Sequence, residues 1–116
     1  MRKFLVLMLC LIFVFSLAGC SSERADDGKI TIVATAFPHY DFARTLCEGI
    51  DAEYDIKMLI APGNEVHTYE PSPSDILAIS QCDLFIYTGG ESDTWVKNVL
   101  ESAGNEDMKV ISFMDI

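Results

Sequence analysis

The chain has 116 residues, half of them apolar, with 18 acidic against 8 basic side chains and a net charge of −10. A surface this acidic repels nucleic acid, whose binding needs clustered Lys and Arg, and it draws cations only weakly and without selectivity. The length allows one small domain and one core.

Arg2 and Lys3 precede an apolar run from Phe4 to Phe15, and Ser16-Leu17-Ala18-Gly19 then leads to Cys20. A basic start, an apolar stretch and small residues at the break predict a secretory signal peptide over 1–19, too short and wrongly flanked to span a bilayer. Leu17-Ala18-Gly19-Cys20 has the pattern of a bacterial lipobox, in which Cys20 becomes the lipid-bearing first residue. The expectation is an extracytoplasmic protein anchored to the cell membrane through that lipid. From Cys20 onward 6 basic side chains face 18 acidic ones. Residues 20–28 are short, polar and charged, as a tether should be, and residues 29–116 form the folded body.

Lys29 to Phe37 reads KITIVATAF, a β-branched and nearly continuous apolar run, which predicts a strand buried on both faces. After Pro38, Asp41 to Glu48 carries apolar residues at helical spacing until Gly49. Tyr54 to Ile60 is a second strand, Ser72 to Gln81 a second helix and Cys82 to Thr88 a third strand. Gly89-Gly90 turns the chain, and Ser92 or Asp93 can cap a third helix from about Thr94 to Ala103, which Gly104 stops. Lys109 to Phe113 is a fourth strand. The alternation βαβαβαβ calls for an α/β fold, a parallel sheet with helices on both faces. Right-handed crossovers make the strand order 2-1-3-4 the simplest.

Cys10 leaves with the leader, so Cys47 and Cys82 remain. In an exported chain the pair is compatible with one disulfide or with two buried thiols. The chain has no phosphate-binding glycine motif and no nucleophile elbow, and its acidic residues show no catalytic pairing. Nothing in it argues for an enzyme.

In such sheets ligands sit outside the carboxyl ends of the strands, near the point where strand order reverses. His39 follows the first strand and His67 the second, and they are the only histidines. The stretch around His67 has the stronger local grammar. Pro62-Gly63 is a turn signal. Ser72-Pro73-Ser74-Asp75 pairs a good N-cap with a proline at the first helical position and an acid three residues after the cap. His67 therefore hangs from a loop between a strand end and a helix start. Glu65 and Glu70 flank it and can orient an imidazole as hydrogen-bond acceptors. For Glu65 surface solvation is the plainer reading, and for Glu70 the alternatives are solvation or a favourable charge near the N-terminus of the second helix.

Pro62, Gly63, His67, Tyr69, Glu70, Pro71, Pro73, Asp75 and Ile76 together resemble a segment of the zinc- and manganese-binding lipoproteins that serve ABC metal importers. Phe37-Pro38-His39-Tyr40-Asp41-Phe42 also looks like the first strand–helix junction of that family. The resemblance implies a two-lobed receptor, its lobes joined by a long helix, that holds a divalent metal ion, zinc or manganese, between the lobes and delivers it to an ABC transporter permease. It makes His67 the first protein ligand and gives His39 no metal role, which leaves His39 a local hydrogen-bonding residue at the mouth of the site. It covers residues 29–116, an incomplete first lobe. A second histidine of that lobe and two ligands of the other lobe have no counterpart here, so the expectation is a fragment of a longer receptor. A lipid-anchored adhesin that binds no metal and a truncation product without function are the alternatives.

Overall fold

The computed structural model describes residues 28–116. The expected leader, the expected lipid-bearing Cys20 and the expected tether up to residue 27 lie outside the described residues.

Four parallel strands form one sheet: β1 (Ile30–Ala34), β2 (Tyr54–Met58), β3 (Leu84–Tyr87) and β4 (Lys109–Ser112), in the order β2-β1-β3-β4. Three helices connect them: α1 (Phe37–Cys47), α2 (Pro73–Gln81) and α3 (Thr94–Ala103), the last preceded by a 3-10 turn over Gly90–Asp93. The expected strand order is the one observed. Ile32 of β1 lies opposite Leu84 of β3 and Ile56 of β2, which sets the register across the centre of the sheet.

The chain leaves β1 in one direction to make β2 and in the other to make β3 and β4. With right-handed crossovers the helices must then change face. They do. Val33 and Phe85 pack beneath α2 and α3 with Ile79, Cys82, Val96 and Val99. Ile32 and Ile86 pack on the opposite face with Ala43 and Cys47 of α1. The central strand β1 is buried at Val33 and Ala34, while the edge strand β2 alternates half-buried Tyr54, Ile56 and Met58 with exposed Asp55 and Lys57. Only the inner strands carry the both-faces-buried pattern.

Of the two readings open for Cys47 and Cys82, one disulfide or two buried thiols, this layering agrees with the second. Cys47 and Cys82 are both buried and not joined by a disulfide, and they belong to clusters on opposite faces of the sheet.

Two local features differ from expectation. The first helix begins at Phe37, four residues before Asp41. Pro38 falls in its first turn, where a backbone N–H has no intrahelical partner to lose. The second strand ends at Met58, yet the N–H groups of Leu59 and Ile60 still donate to the carbonyls of Ala34 and Thr35, at 2.9 and 2.8 Å. The backbone thus stays tied to β1 up to the rim where the His67 loop departs.

Candidate metal site at the carboxyl rim of the sheet

Between β2 and α2 the chain makes a long rim loop. Pro62 and Gly63 turn it, with Gly63 at φ +89, a conformation that a β-carbon disfavours. Its far end is held by Asp75, the third residue of α2. One Asp75 carboxylate oxygen accepts from the Ser72 hydroxyl at 2.7 Å, the Ser72 N–H at 3.1 Å and the Tyr69 hydroxyl at 3.0 Å. The other accepts from Lys57 Nζ at 3.0 Å. The Tyr69 ring meets Trp95 of α3 edge-on at 5.6 Å, and Trp95 in turn leans on Phe85. Most of the motif around His67 is therefore scaffolding that fastens the loop to α2 and α3.

Partial burial of Asp75 disfavours its charge, but the hydrogen bonds from Ser72, Lys57 and Tyr69 outweigh it and hold the carboxyl at about 2. Burial and the bond to Asp75 raise the Tyr69 hydroxyl in return. A folded-state pKa below the ordinary 3.8 means the stabilisation is complete above about pH 4 and is lost as pH falls through about 2. Asp75 is only partly buried and its Lys57 partner is exposed, so solvent screening reduces the worth of this arrangement to about 1–2 kcal/mol. Asp75→Asn should lower stability at neutral pH by that amount. Urea unfolding between pH 5 and pH 2 should then show a shallower acid dependence than the wild type.

His67 projects from this loop into solvent, and its Nδ1 lies 2.9 Å from the hydroxyl of Ser92. Ser92 belongs to the 3-10 turn that follows β3. The contact joins the carboxyl-end loops of β2 and β3, which places His67 at the carboxyl rim of the sheet. Nε2 makes no hydrogen bond among the described residues and remains available to a cation. Glu65 and Glu70 do not orient the ring: Glu65 accepts from the His67 backbone N–H at 3.1 Å, and Glu70 is exposed.

His39 sits below the rim, 3 % exposed. Its Nδ1 accepts from the Ala36 N–H at 3.3 Å and lies 3.1 Å from the Thr35 hydroxyl, while Nε2 lies 3.2 Å from the Thr88 hydroxyl. Since Ala36 N–H donates to Nδ1, the proton belongs on Nε2, from which it reaches Thr88. At the third position of α1 the imidazole thus does what Glu or Gln does in a capping box, and it ties the end of β1 to the end of β3. Burial pushes the His39 pKa down, against the raising pull of Asp93. With both nitrogens engaged, His39 is a structural brace and has no lone pair for a metal.

Asp93, one of the two residues offered as a cap for α3, stands at its N-cap position, but its side chain is used elsewhere. It makes no side-chain bond to its own helix. One oxygen turns back to accept from the N–H groups of Thr88 and Gly89, both at 2.9 Å. That closes the turn after β3 and sets the position of Ser92. Gly89 has φ +94, and a β-carbon there would lie 2.7 Å from the Ser112 hydroxyl, so only glycine fits.

Among the described residues no group of three or more His, Cys, Asp or Glu side chains is placed to hold a metal ion. The rim offers one imidazole. A cleft of about 450 Å³ lined by Ser80, Asp83, Asn105 and Met108 lies at the amino ends of β3 and β4, the end opposite His67.

The described residues thus form a doubly wound α/β half-sheet with one exposed histidine at its carboxyl rim. The family model described as zinc-uptake complex component A, periplasmic (ZnuA), matches residues 32–115. The chain belongs to that family. It is 34% identical over 111 residues to the zinc-binding lipoprotein AdcA of Streptococcus pneumoniae, a match covering 96% of this chain and 21% of AdcA. It is 30% identical over 102 residues to the high-affinity zinc uptake system protein ZnuA of Bacillus subtilis, covering 85% of this chain and 31% of that protein. The crystal structure of the Zn(II)-bound ZnuA-like domain of pneumococcal AdcA superposes with a TM-score of 0.62 at 34% identity, over 73% of this chain and 31% of that domain. The chain thus spans about a fifth to a third of the length of the relatives it matches.

Proposed function

We propose that this chain is the first part of an extracytoplasmic, lipid-anchored receptor that captures a divalent transition metal ion, zinc in particular, and hands it to the permease of an ABC importer. His67 serves as the first ligand. Residues 1–19 are the leader, Cys20 carries the lipid and residues 20–28 are the tether. The relatives named above are zinc-binding and zinc-uptake proteins. The observation that carries the reading is the placement of His67: exposed, on a loop fastened at both ends, with Nδ1 occupied and Nε2 open.

Zinc prefers about four ligands in tetrahedral array, and an imidazole nitrogen about 2 Å away is a good one. One imidazole holds the ion only loosely, so the remaining ligands come from polypeptide beyond the described rim. A site shared in this way can release its cargo when the parts separate, as transport requires. The acidic surface adds only a weak, unselective attraction for cations. The chain acts as a binding component and not as an enzyme.

The test is a chimera in which residues 29–116 replace the matching portion of pneumococcal AdcA. Calorimetry should find zinc bound, with affinity reduced at least ~100-fold by His67→Ala, more than the loss of a merely orienting neighbour brings. Zinc binding equally tight with and without the imidazole would refute the assignment.

A further inference from the structure

We propose that Ser92 is the positioning residue for His67, holding the imidazole as the Nδ1–H tautomer so that Nε2 presents its lone pair to the metal ion. The proposal rests on the receptor reading for its purpose but not for its geometry. Ser92 Oγ and His67 Nδ1 are 2.9 Å apart. Neutral imidazole carries one proton, and a nitrogen that ligates a metal must be the bare one. If Nε2 takes the ion, the proton sits on Nδ1 and needs an acceptor. Ser92 Oγ is the partner at that distance.

Carboxylates and carbonyls commonly orient ligating histidines in this way. Here the two flanking carboxylates are not in that position: Glu65 accepts from the His67 backbone, and Glu70 stays in solvent. A hydroxyl from another loop replaces them. Both partners stand on held backbone. Asp93, next to Ser92, binds two N–H groups at the end of β3. Tyr69, two residues after His67, is held by Asp75 and Trp95. The ring therefore has a fixed neighbour despite its exposure. That lowers the entropy lost when the ion fixes the side chain.

The experiment is long-range ¹H–¹⁵N correlation NMR on the labelled full chain in detergent at about pH 8, above the ordinary histidine pKa. His39 serves as an internal Nε2–H standard, by its contact with Thr88. His67 should appear mainly as Nδ1–H in the wild type and mainly as Nε2–H in Ser92→Ala. Ser92→Thr, which restores the hydroxyl, should restore the wild-type ratio. Zinc added to the same samples should shift His67 Nε2, with a midpoint about 10-fold higher in Ser92→Ala and recovered in Ser92→Thr. Unchanged Trp95 fluorescence in both variants shows that the fold is intact. A tautomer ratio indifferent to Ser92→Ala overturns the proposal, as does a zinc midpoint that ignores a changed ratio. A wild-type His67 that no zinc concentration perturbs counts against the receptor reading instead, and leaves the tautomer result to decide on Ser92.

Discussion

Phe85→Ala is expected to cost about 3–5 kcal/mol, the range for truncating a fully buried aromatic side chain. Phe85 is 0 % exposed and lies on the inner strand β3, with Tyr87 stacked at 5.6 Å and Trp95 tilted at 6.4 Å. Its removal opens a cavity beneath both α2 and α3, and two helices cannot close onto one hole without leaving other partners. A domain of this size has about 5–15 kcal/mol in all, so the variant should unfold at a much lower urea concentration. Trp95 is the single tryptophan, and its emission follows the transition directly. Because Trp95 also carries Tyr69, the His67 loop should loosen before the whole domain unfolds, seen as faster amide exchange at Tyr69 than at β1. A midpoint within 0.3 M of the wild type would show that the core does not hinge on this ring.

Asp93→Ala should cost about 3 kcal/mol. The side chain is 8 % exposed, and its carboxylate accepts two backbone N–H groups at 2.9 Å. Hydrogen bonds to a charged group contribute roughly 1.5–3 kcal/mol each, and donors left without a partner cost more than the bond was worth. Asp93→Asn keeps an acceptor oxygen and should lose about half as much. Asp93 also raises the pKa of His39 against the lowering effect of burial. In Asp93→Ala the His39 pKa should therefore fall further, which histidine NMR titration measures. Loss of stability with no change in His39 would show that the two groups do not sense each other. The same substitution frees the Ser92 turn, so the His67 contact weakens with it.

Much of this was legible locally because the signals are local. The β-branched runs at Ile30–Ala34 and Leu84–Tyr87 announce inner strands, and Ser72 with Asp75 announces the start of α2. In the structure Ser72 and Asp75 bond reciprocally, as a capping box should. Gly104 closes α3 with φ +64. Helix and strand periods, caps and stops are written within a few residues of one another, and the order β2-β1-β3-β4 follows from them through the handedness of crossovers. The start of α1 was less legible, because a proline before a helical stretch reads equally well as a break and as a first turn.

A doubly wound α/β domain with a histidine loop after the second strand is readable from the order of residues, since periodicity and capping act over one or two turns of chain. Which histidine stays open to solvent emerges from the packing of the folded chain. His39 and His67 each follow a strand, but the switch of faces buries the first among Thr35, Thr88 and Phe113 and leaves the second in solvent. The folded arrangement also put Cys47 and Cys82 on opposite sides of the sheet and brought Ser92 to an imidazole 25 residues away. One cause underlies all three. Each depends on which side of the sheet a crossover lands, and no pattern of neighbouring side chains encodes a distance between two loops.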